Sequence, residues 1–275
     1  VGRNRVWRLE PEDPGREEYY VKIADEESWY RWEVLSVEVS RYLASRHEWI
    51  MAPSVLSTDA EMRAIVLGPI RGASGDEMIR YALRLDRNPL HRREPIERFR
   101  HALRAMVRWI GALHESPLPD RLDLLVDHRF PAVRRRVLDK LTRALRATPL
   151  DVPEAKLSDV EQLPFPERSD EERLICGDAT LGNFYWDGQS VGRIDFEDLG
   201  VGTVGRDFNT MRLWIERVTA IPWYWSRNVP VTEIPGVDQD PENTLHTLEW
   251  KLDYLWSAHQ NGVQKQVRKL VGEIE

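Results

Sequence analysis

Three residues with oxygen-bearing side chains lie at regular intervals in the C-terminal half of the chain. Asp178 follows a short apolar run, Asn183 lies five positions further on, and Asp195 ends the next apolar run twelve positions after that. The segments on either side of Asp187-Gly188, a strong turn signal, predict two antiparallel strands. Such a hairpin would place Asn183 and Asp195 at neighbouring strand ends, with Asp178 on the loop just before it.

This set of residues suits the transfer of a phosphoryl group from a nucleotide. That reaction needs a carboxylate to orient and deprotonate an attacking hydroxyl, and oxygen ligands to hold Mg2+ against the phosphates. Mg2+ prefers hard oxygen donors and keeps several waters, so one carboxylate and one amide oxygen are enough protein ligands. The order favours Asp178 as the catalytic carboxylate, with Asn183 and Asp195 as metal ligands. Each motif alone is common by chance, so the prediction depends on the ordered set.

The same region resembles the aminoglycoside phosphotransferase and choline kinase superfamily of protein-kinase-like small-molecule kinases. The resemblance is carried by Gly177-Asp178 with Gly182-Asn183, by Ile-Asp-Phe-Glu-Asp at 194–198 and by Gly-Arg-Asp-Phe at 205–208. A protein kinase would show Arg before the catalytic Asp, Gly after the Asp-Phe pair and a later Ala-Pro-Glu, and the sequence has none of these. Cys176 stands where the family usually has His, and we expect it to be partly buried and to pack the loop.

The resemblance implies a bilobal α+β fold of the protein-kinase type. A small β-sheet N-lobe with one helix would cover residues 1–68 and bind the nucleotide. A hinge would cover 69–75, and a larger, mainly helical C-lobe would cover 76–275 and carry the catalytic loop, the metal site and the acceptor pocket.

The hydrophobic pattern of the first seventy residues agrees with such an N-lobe. Strands are predicted at 6–9, 19–23, 54–57 and 64–67, because these segments are short, apolar and bounded by turn residues. Apolar residues at helical spacing predict a helix over 26–44. A sheet with one inserted helix is the layout of a kinase N-lobe.

The resemblance also implies the residues that contact ATP. Lys22 ends a predicted strand and Glu33 lies on the helix that follows, where kinases place a Lys that holds the phosphates and a Glu that orients it. Glu38 is the competing partner for Lys22. Gly68 and Ile70 fall in the hinge, where a backbone carbonyl and an N–H respectively would bind adenine.

The C-terminal part is predicted to be mainly helical, and two of its polar residues are predicted to support the catalytic loop. Helices are expected at 94–114, 131–145, 205–218, 242–259 and 261–274, with a loop or excursion over 154–173. His114 ends the first of these helices and is expected to hydrogen-bond near the catalytic loop. Asp207, at the start of a later helix, matches a family acid that supports that loop.

Residues that contact the acceptor are less clear from the sequence. Glu197 and Asp198 follow the metal motif and could bind metal or substrate, or face solvent. Trp223 and Trp225 lie where family members build the acceptor pocket, and their rings could stack on a sugar or hold a cation. Packing in the core is the competing interpretation for both aromatic residues.

Acidic residues cluster around these motifs. Thirteen acids against four basic residues between 151 and 198, with further acids such as Glu233, Glu249 and Asp253, favour a cationic, hydroxyl-bearing acceptor. A solvated acidic surface is the alternative interpretation.

Composition limits the remaining possibilities. The chain has 275 residues, a net charge of −7 and one cysteine. The charge argues against a general nucleic-acid binder, and a single cysteine fits a reducing, cytoplasmic setting. No apolar run approaches the ~18 residues of a membrane span, and the first residues show no signal-peptide pattern. We expect a monomer or homodimer.

These observations predict an ATP- and Mg2+-dependent O-phosphotransferase acting on a hydroxyl of a small molecule. Aminoglycoside-type antibiotics are the leading acceptor class, which would imply a role in antibiotic resistance. Choline, a sugar or another metabolite alcohol is the alternative. A nucleotide-binding pseudokinase that acts through interactions is the rival hypothesis, favoured by Cys176 and by the lack of a good glycine-rich loop, and opposed by the joint presence of Asp178, Asn183 and Asp195.

Overall fold

The computed structural model describes most of the chain as a mixed α and β protein. The described residues are 4–9, 18–84, 93–120, 122–147, 155–164, 172–196, 198–219, 233–235 and 241–260. None of the helices in these ranges is long and apolar enough to cross a membrane.

The described part of the chain forms short strands and longer helices, named here in chain order. The strands are β1 (Asn4–Leu9), β2 (Tyr19–Ala24), β3 (Ile50–Met51), β4 (Val55–Asp59), β5 (Ala64–Leu67), β6 (Ala73–Ser74), β7 (Val126–Asp127), β8 (Arg173–Ile175), β9 (Phe184–Trp186), β10 (Val191–Arg193) and β11 (Gly200–Gly202). The helices are α1 (Glu27–Arg46), α2 (Gly75–Arg84), α3 (Arg93–His114), α4 (Phe130–Ala147), α5 (Ala155–Gln162), α6 (Val204–Thr219) and α7 (Pro241–Gln260).

The N-terminal part is a small antiparallel sheet with one long helix. The strand order is β1-β2-β5-β4, and β2 is rich in the aromatic and β-branched residues that favour strands. One side of α1 packs on this sheet through Val37, which contacts Ile65 and Leu67. Other α1 residues, including Leu35 and Leu43, join the main core instead. The helix therefore connects the sheet to the rest of the molecule.

A second sheet carries the predicted hairpin. Its order is β3-β10-β9-β6, with β9 and β10 antiparallel. The turn between them is closed by Asp187, whose Oδ1 accepts the amides of Gln189 and Ser190 at 2.9 and 2.7 Å. Strand β3 pairs in parallel with β10, and β6 pairs with β9. The segments around residues 50 and 73 therefore flank the hairpin on both sides.

The helices of the C-terminal part pack into two apolar clusters. The main cluster centres on α3, where Trp109 is fully buried and meets the Phe184 ring edge-on at 5.5 Å. The second cluster joins α4, α5 and α7. A third sheet of order β7-β11-β8 lies in this part of the chain and leads β8 into the catalytic loop.

Most of the predicted elements are confirmed, with ends that differ by one or two residues. The short strands β3, β6, β7 and β11 were not predicted, and two further differences lie between β8 and β9 and in the segment before β8. The segment 155–162, predicted as part of a loop, forms helix α5, because Leu157 and Val160 pack in the second cluster. Asn183, predicted as the first residue of a strand, ends a single 3₁₀ turn over Leu181–Asn183. The predicted helix at 261–274 lies outside the described residues.

Candidate active site

The structure brings the three predicted chemical residues together at the start of the hairpin. Asn183 donates from Nδ2 to Asp178 Oδ2 at 3.2 Å and to the Asp178 carbonyl at 3.4 Å. The Ile194 amide donates to the Asn183 carbonyl at 2.9 Å, so Asp195 follows directly beside Asn183. Lys22 Nζ lies 3.8 Å from Asp195 Oδ1. One short region thus joins the predicted catalytic carboxylate, both predicted metal ligands and the predicted phosphate-binding lysine.

Asp178 has the electrostatic environment of a proton acceptor. The pKa of its carboxyl is raised to about 6, mainly by burial and also by the nearby Asp198 and Asp195 carboxylates, while Arg193 and Asn183 oppose the rise. A carboxylate with such a pKa is still ionised at neutral pH but is more basic than an ordinary aspartate. Proton transfer is most efficient when the pKa of the base lies near the working pH.

Asp195 is held in an unusual conformation that suits a metal ligand. Its φ is +58°, a left-handed value that is uncommon outside glycine and that often occurs at functional sites. Its Oδ1 is buried and has no hydrogen-bond partner among the residues that the structure describes. A buried carboxylate oxygen normally has a partner, and a bound cation would supply one here.

The donor set fits Mg2+ rather than a softer metal. Because the Asn183 amide nitrogen donates to Asp178, its Oδ1 is the atom left to bind a cation, and with Asp195 it offers two hard oxygens. Within the described ranges no group of three or more His, Cys, Asp and Glu side chains could hold a metal ion. A cation at this site would therefore depend on phosphate oxygens and water for its other ligands.

Lys22 pairs with Glu33, as predicted. Its Nζ lies 3.1 and 3.3 Å from the two carboxylate oxygens of Glu33. Burial raises the pKa of Glu33, and the Lys22 charge opposes that rise. The competing residue, Glu38, is exposed.

The predicted hinge lies between the first sheet and the hairpin. The Gly68 amide donates to the Ser54 carbonyl at 2.8 Å, and a Cβ at Gly68 would lie 2.1 Å from Ser54 Oγ, so a larger residue would require the Ser54 side chain to move. The side chain of Ile70 packs against Gly192 of β10, where an added Cβ would lie 2.8 Å from Ile70 Cγ2. The hinge thus contacts the strand that leads to Asp195. The adenine contacts of Gly68 and Ile70 stay a prediction.

Asp207 fixes the backbone of the catalytic loop. It is fully buried and accepts the amides of Cys176 and Gly177 at 2.8 and 2.9 Å, and it lies 2.9 Å from His114 Nε2. Burial would raise the pKa of Asp207, but these hydrogen bonds and the His114 ring lower it below the usual value. The predicted supporting roles of Asp207 and His114 are confirmed.

Cys176 is more deeply placed than predicted. It is fully buried rather than partly buried, and burial raises the pKa of its thiol well above the ordinary value. A neutral, buried thiol is unreactive, so Cys176 packs the loop and takes no part in the chemistry.

Arg193 is a functional candidate that the sequence analysis missed. Its side chain is almost completely buried, and its Nη2 donates to the Asp178 carbonyl at 2.7 Å. The guanidinium lies 5.6 Å from the centre of the Phe184 ring and 4.7 Å from that of Phe196. Its Nε and Nη1 have no hydrogen-bond partner in the described part of the chain. The signal in the sequence was a charged residue inside the apolar strand that leads to Asp195.

A cavity of about 420 Å³ opens beside Asp178. It lies between the catalytic loop and helices α6 and α7, and its volume is within the range of small-molecule sites. Its lining includes Asp178, Thr180, Asp198, Arg206, Thr210, Trp214, His246, Glu249, Trp250, Asp253, Tyr254 and Ser257.

Of the four residues predicted to contact the acceptor, only Asp198 lies in the described ranges, and it lines this cavity. Glu197, Trp223 and Trp225 lie outside the described residues. Glu249 and Asp253, which the sequence analysis counted among the acids near the site, line this cavity from α7. The other lining residues of α6 and α7 were missed, because they are far from the motifs along the chain.

The small antiparallel sheet, the Lys–Glu pair and the hairpin with its Asp and Asn residues define a protein-kinase-like phosphotransferase. The model of a family described as "Phosphotransferase enzyme family" matches residues 2–250, and the chain belongs to that family. It is thus a phosphotransferase of that family, which confirms, at the level of the family, the resemblance found in the sequence.

Solved structures support the same fold. The GDP and kanamycin complex of APH(2")-IIia has a TM-score of 0.57 and 14% identity, covering 100% of this chain and 93% of its own. Aminoglycoside phosphotransferase APH(3'')-Id from Streptomyces rimosus has a TM-score of 0.54 and 17% identity, covering 84% of both chains. A choline/ethanolamine kinase family protein from Mesorhizobium loti has a TM-score of 0.54 and 14% identity, covering 94% and 82%. No curated protein sequence matches this chain.

Proposed function

We propose that this protein transfers the γ-phosphoryl group of ATP, with Mg2+, to a hydroxyl of a small molecule. The observation that carries the proposal is the convergence of Asp178, Asn183, Asp195 and Lys22 beside an open cavity. Asp178 lines the cavity, whereas Asn183, Asp195 and Lys22 do not, so Asp178 would be the residue of this set that meets the acceptor.

Each residue has a role that follows from its position. Lys22, oriented by Glu33, would hold the α- and β-phosphates. Asn183 and Asp195 would bind Mg2+, which, when bound, would neutralise charge on the β- and γ-phosphate oxygens. Asp178 would accept the proton of the attacking hydroxyl.

The assignment of functions to the parts of the chain belongs to the same proposal. An N-lobe over 1–68, a hinge over 69–75 and a C-lobe over 76–275 would separate nucleotide binding from catalysis and acceptor binding. Adenine would be bound by the Gly68 carbonyl and the Ile70 N–H. The predicted cytoplasmic location and the predicted monomer or homodimer also stay part of this proposal.

The acceptor is drawn from hydroxyl compounds that the cavity can hold. The sequence ranks aminoglycoside-type antibiotics first and choline, sugars or other metabolite alcohols second. Similar solved structures include a kanamycin complex of APH(2")-IIia and a choline/ethanolamine kinase family protein, and at 14% identity neither favours one acceptor class over the other. The charges of the cavity lining allow a choice between a cationic and a neutral acceptor.

A mass-shift assay tests the proposal. The protein would be incubated with Mg2+, ATP or GTP and a panel of aminoglycosides, choline and neutral sugars, and each compound would be checked for the mass of an added phosphoryl group. We expect one compound class to gain that group and ADP or GDP to form in equal amount. Nucleotide binding without any transfer would support the rival pseudokinase and would overturn the proposal.

A further inference from the structure

The two acids that α7 contributes to the cavity lining, Glu249 and Asp253, are paired with cations of the protein itself. Glu249 of α7 is buried, and three cations surround it. Arg136 Nε lies at 2.7 Å, Lys140 Nζ at 3.2 Å and Arg206 Nη1 at 3.1 Å. Burial alone would raise the pKa of Glu249, but these cations lower it far below the usual value. Glu249 is therefore an ionised acid whose charge is fully balanced.

The charge of Asp253, the second acid of α7 in the cavity lining, is balanced in the same way. Asp253 lies 2.7 Å from Lys140 Nζ, so Lys140 bridges the two carboxylates. The two acids thus meet three cations, Arg136, Lys140 and Arg206. His246, which also lines the cavity, adds no charge, because burial lowers its pKa well below the usual value. Glu249 and Asp253, the two acids of α7 in the described cavity lining, therefore offer no net negative charge to an acceptor.

Glu233, a third acid expected around the cleft, is also paired elsewhere. Its carboxylate accepts two hydrogen bonds from Arg104 of α3, at 2.6 and 2.9 Å. Glu233 does not line the cavity. Glu233, Glu249 and Asp253 therefore add little to a negative field at this site.

One aromatic ring at the cavity also holds a cation of the protein. The guanidinium of Arg217 lies 3.4 Å from the centre of the Tyr254 ring. Trp250 packs against Tyr254 with ring centres 4.2 Å apart. A face that would attract an ammonium group of a substrate by cation–π contact is already used by Arg217.

We propose that the acceptor is a neutral, hydroxyl-rich ring compound such as a sugar or cyclitol, rather than a polycation. A hydroxyl both donates and accepts hydrogen bonds, so it can bind between paired carboxylates and guanidinium groups without disturbing their balance. Trp214 and Trp250 line the same cavity and offer apolar surface to a ring. A polyamine gains affinity from an excess of negative charge. In the described lining, Asp178 and Asp198 alone could supply such an excess, because Glu249 and Asp253 are paired with cations. This inference rests on the proposed kinase function and narrows its acceptor.

The first test compares acceptors at two ionic strengths. Neutral sugars and cyclitols, choline and kanamycin would be assayed as phosphoryl acceptors at about 10 mM and about 500 mM salt, because salt screens charge-driven binding. We expect turnover of a neutral acceptor with a KM that changes less than about twofold. Turnover of kanamycin or choline in preference to every neutral compound, with a KM that rises with salt, would overturn the inference and leave the kinase function intact.

A pair of charge variants tests the cause. Lys140→Gln removes a cation that balances Glu249 and Asp253, whereas Arg143→Gln makes the same charge change at an exposed position on the same helix. Measured by calorimetry, kanamycin should bind weakly to the wild type, several-fold more tightly to Lys140→Gln and no more tightly to Arg143→Gln. Equal kanamycin affinity in Lys140→Gln and wild type would overturn the charge-balance argument.

Failure of the proposed kinase function can be distinguished from failure of the proposed acceptor class. If no compound is phosphorylated although ATP binds, the kinase function fails, and binding of the same panel decides the acceptor class. Binding of a neutral ring compound would then support the inference. Binding of kanamycin alone, or of no compound in the panel, would overturn it.

Discussion

The two sides of Asp178 are built in different ways. On the nucleotide side, Asp178, Asn183 and Asp195 lie within eighteen residues of one another and are connected by the hairpin and its backbone hydrogen bonds. On the acceptor side, the lining comes from α6 and α7, and its charges are set by residues of α4 that lie more than a hundred positions from Glu249, as in the Arg136–Glu249 pair. The chemistry is therefore encoded locally, whereas the choice of acceptor depends on distant contacts.

The largest effects should come from the local metal site. Asp195→Ala should abolish Mg2+-dependent nucleotide binding, because the proposed metal site loses its charged ligand. Asn183→Ala should weaken it less, because a neutral ligand is lost. Mg2+ would be titrated against bound nucleotide in both variants. An unchanged midpoint in Asp195→Ala would remove Asp195 from the metal site.

Loss of the Asp178 carboxylate should affect turnover and leave nucleotide binding in place. Asp178→Asn should reduce kcat by roughly a hundred- to ten-thousand-fold, because the acceptor hydroxyl loses its proton acceptor. Steady-state kinetics and nucleotide affinity would be measured together, with Asp159→Asn on the exposed surface of α5 as the control. Turnover of Asp178→Asn equal to that of the control would contradict the assignment.

Arg193 should act on catalysis through Asp178. Arg193→Met keeps the volume but removes the donor to the Asp178 carbonyl, and such a misplacement of a catalytic group costs about 10- to 100-fold in kcat. The KM for ATP should stay within about twofold, since Arg193 contacts no predicted nucleotide residue, and Arg193→Lys should recover part of the rate. Arg31→Met, on the surface of α1, is the matched control. A KM change as large as the kcat change would indicate general distortion instead.

The raised pKa of Asp178 predicts a pH effect of intermediate size. Without Mg2+ and nucleotide, the Asp178 carboxyl should titrate near pH 6 rather than near its ordinary 3.8, and kcat/KM should fall below that pH. The folded protein then binds this proton more tightly than the unfolded chain. The associated stability is present at low pH and lost as the pH rises through about 6. The Tm of Asp178→Asn minus the Tm of wild type should therefore increase as the pH rises from about 4 to about 8. A difference in Tm that stays constant over this range would argue against a buried, ionising Asp178.

The smallest effect should come from Cys176. Its thiol is buried, neutral and outside the chemistry, so Cys176→Ser should keep kcat within about tenfold, with the change arising from packing and from the new hydroxyl. Activity and Tm measured on the same preparation would check this. Complete loss of activity in a folded Cys176→Ser protein would require a chemical role for the thiol.

Short-range signals in the sequence account for what could be predicted. The hairpin was predictable because turn residues and strand patterns fix it within a few tens of residues. The Lys22–Glu33 pair and the Asp207 support were predicted from the family resemblance. Helix α5 was missed because its apolar residues are few and become meaningful only when they pack against α4 and α7.

Long-range contacts account for what could not be predicted. Arg193 was missed because a buried charge inside an apolar strand carries no sign of what it faces. The pairing of Glu249 could not be predicted either, because the sequence does not show that Glu249 meets Arg136, Lys140 and Arg206. Counting acids along a chain cannot replace knowledge of their partners.

The central claim is that Asp178 and its neighbours transfer phosphate between a nucleotide and a small molecule. The most direct measurement is single-turnover transfer from labelled ATP to the acceptor that the panel identifies, followed in wild type and in Asp178→Asn at saturating nucleotide. We predict that the wild type moves the label from ATP to the acceptor, and that Asp178→Asn binds the same amount of ATP but moves little label. Equal transfer rates in the two proteins, or bound ATP that never gives up its label in the wild type, would contradict the claim.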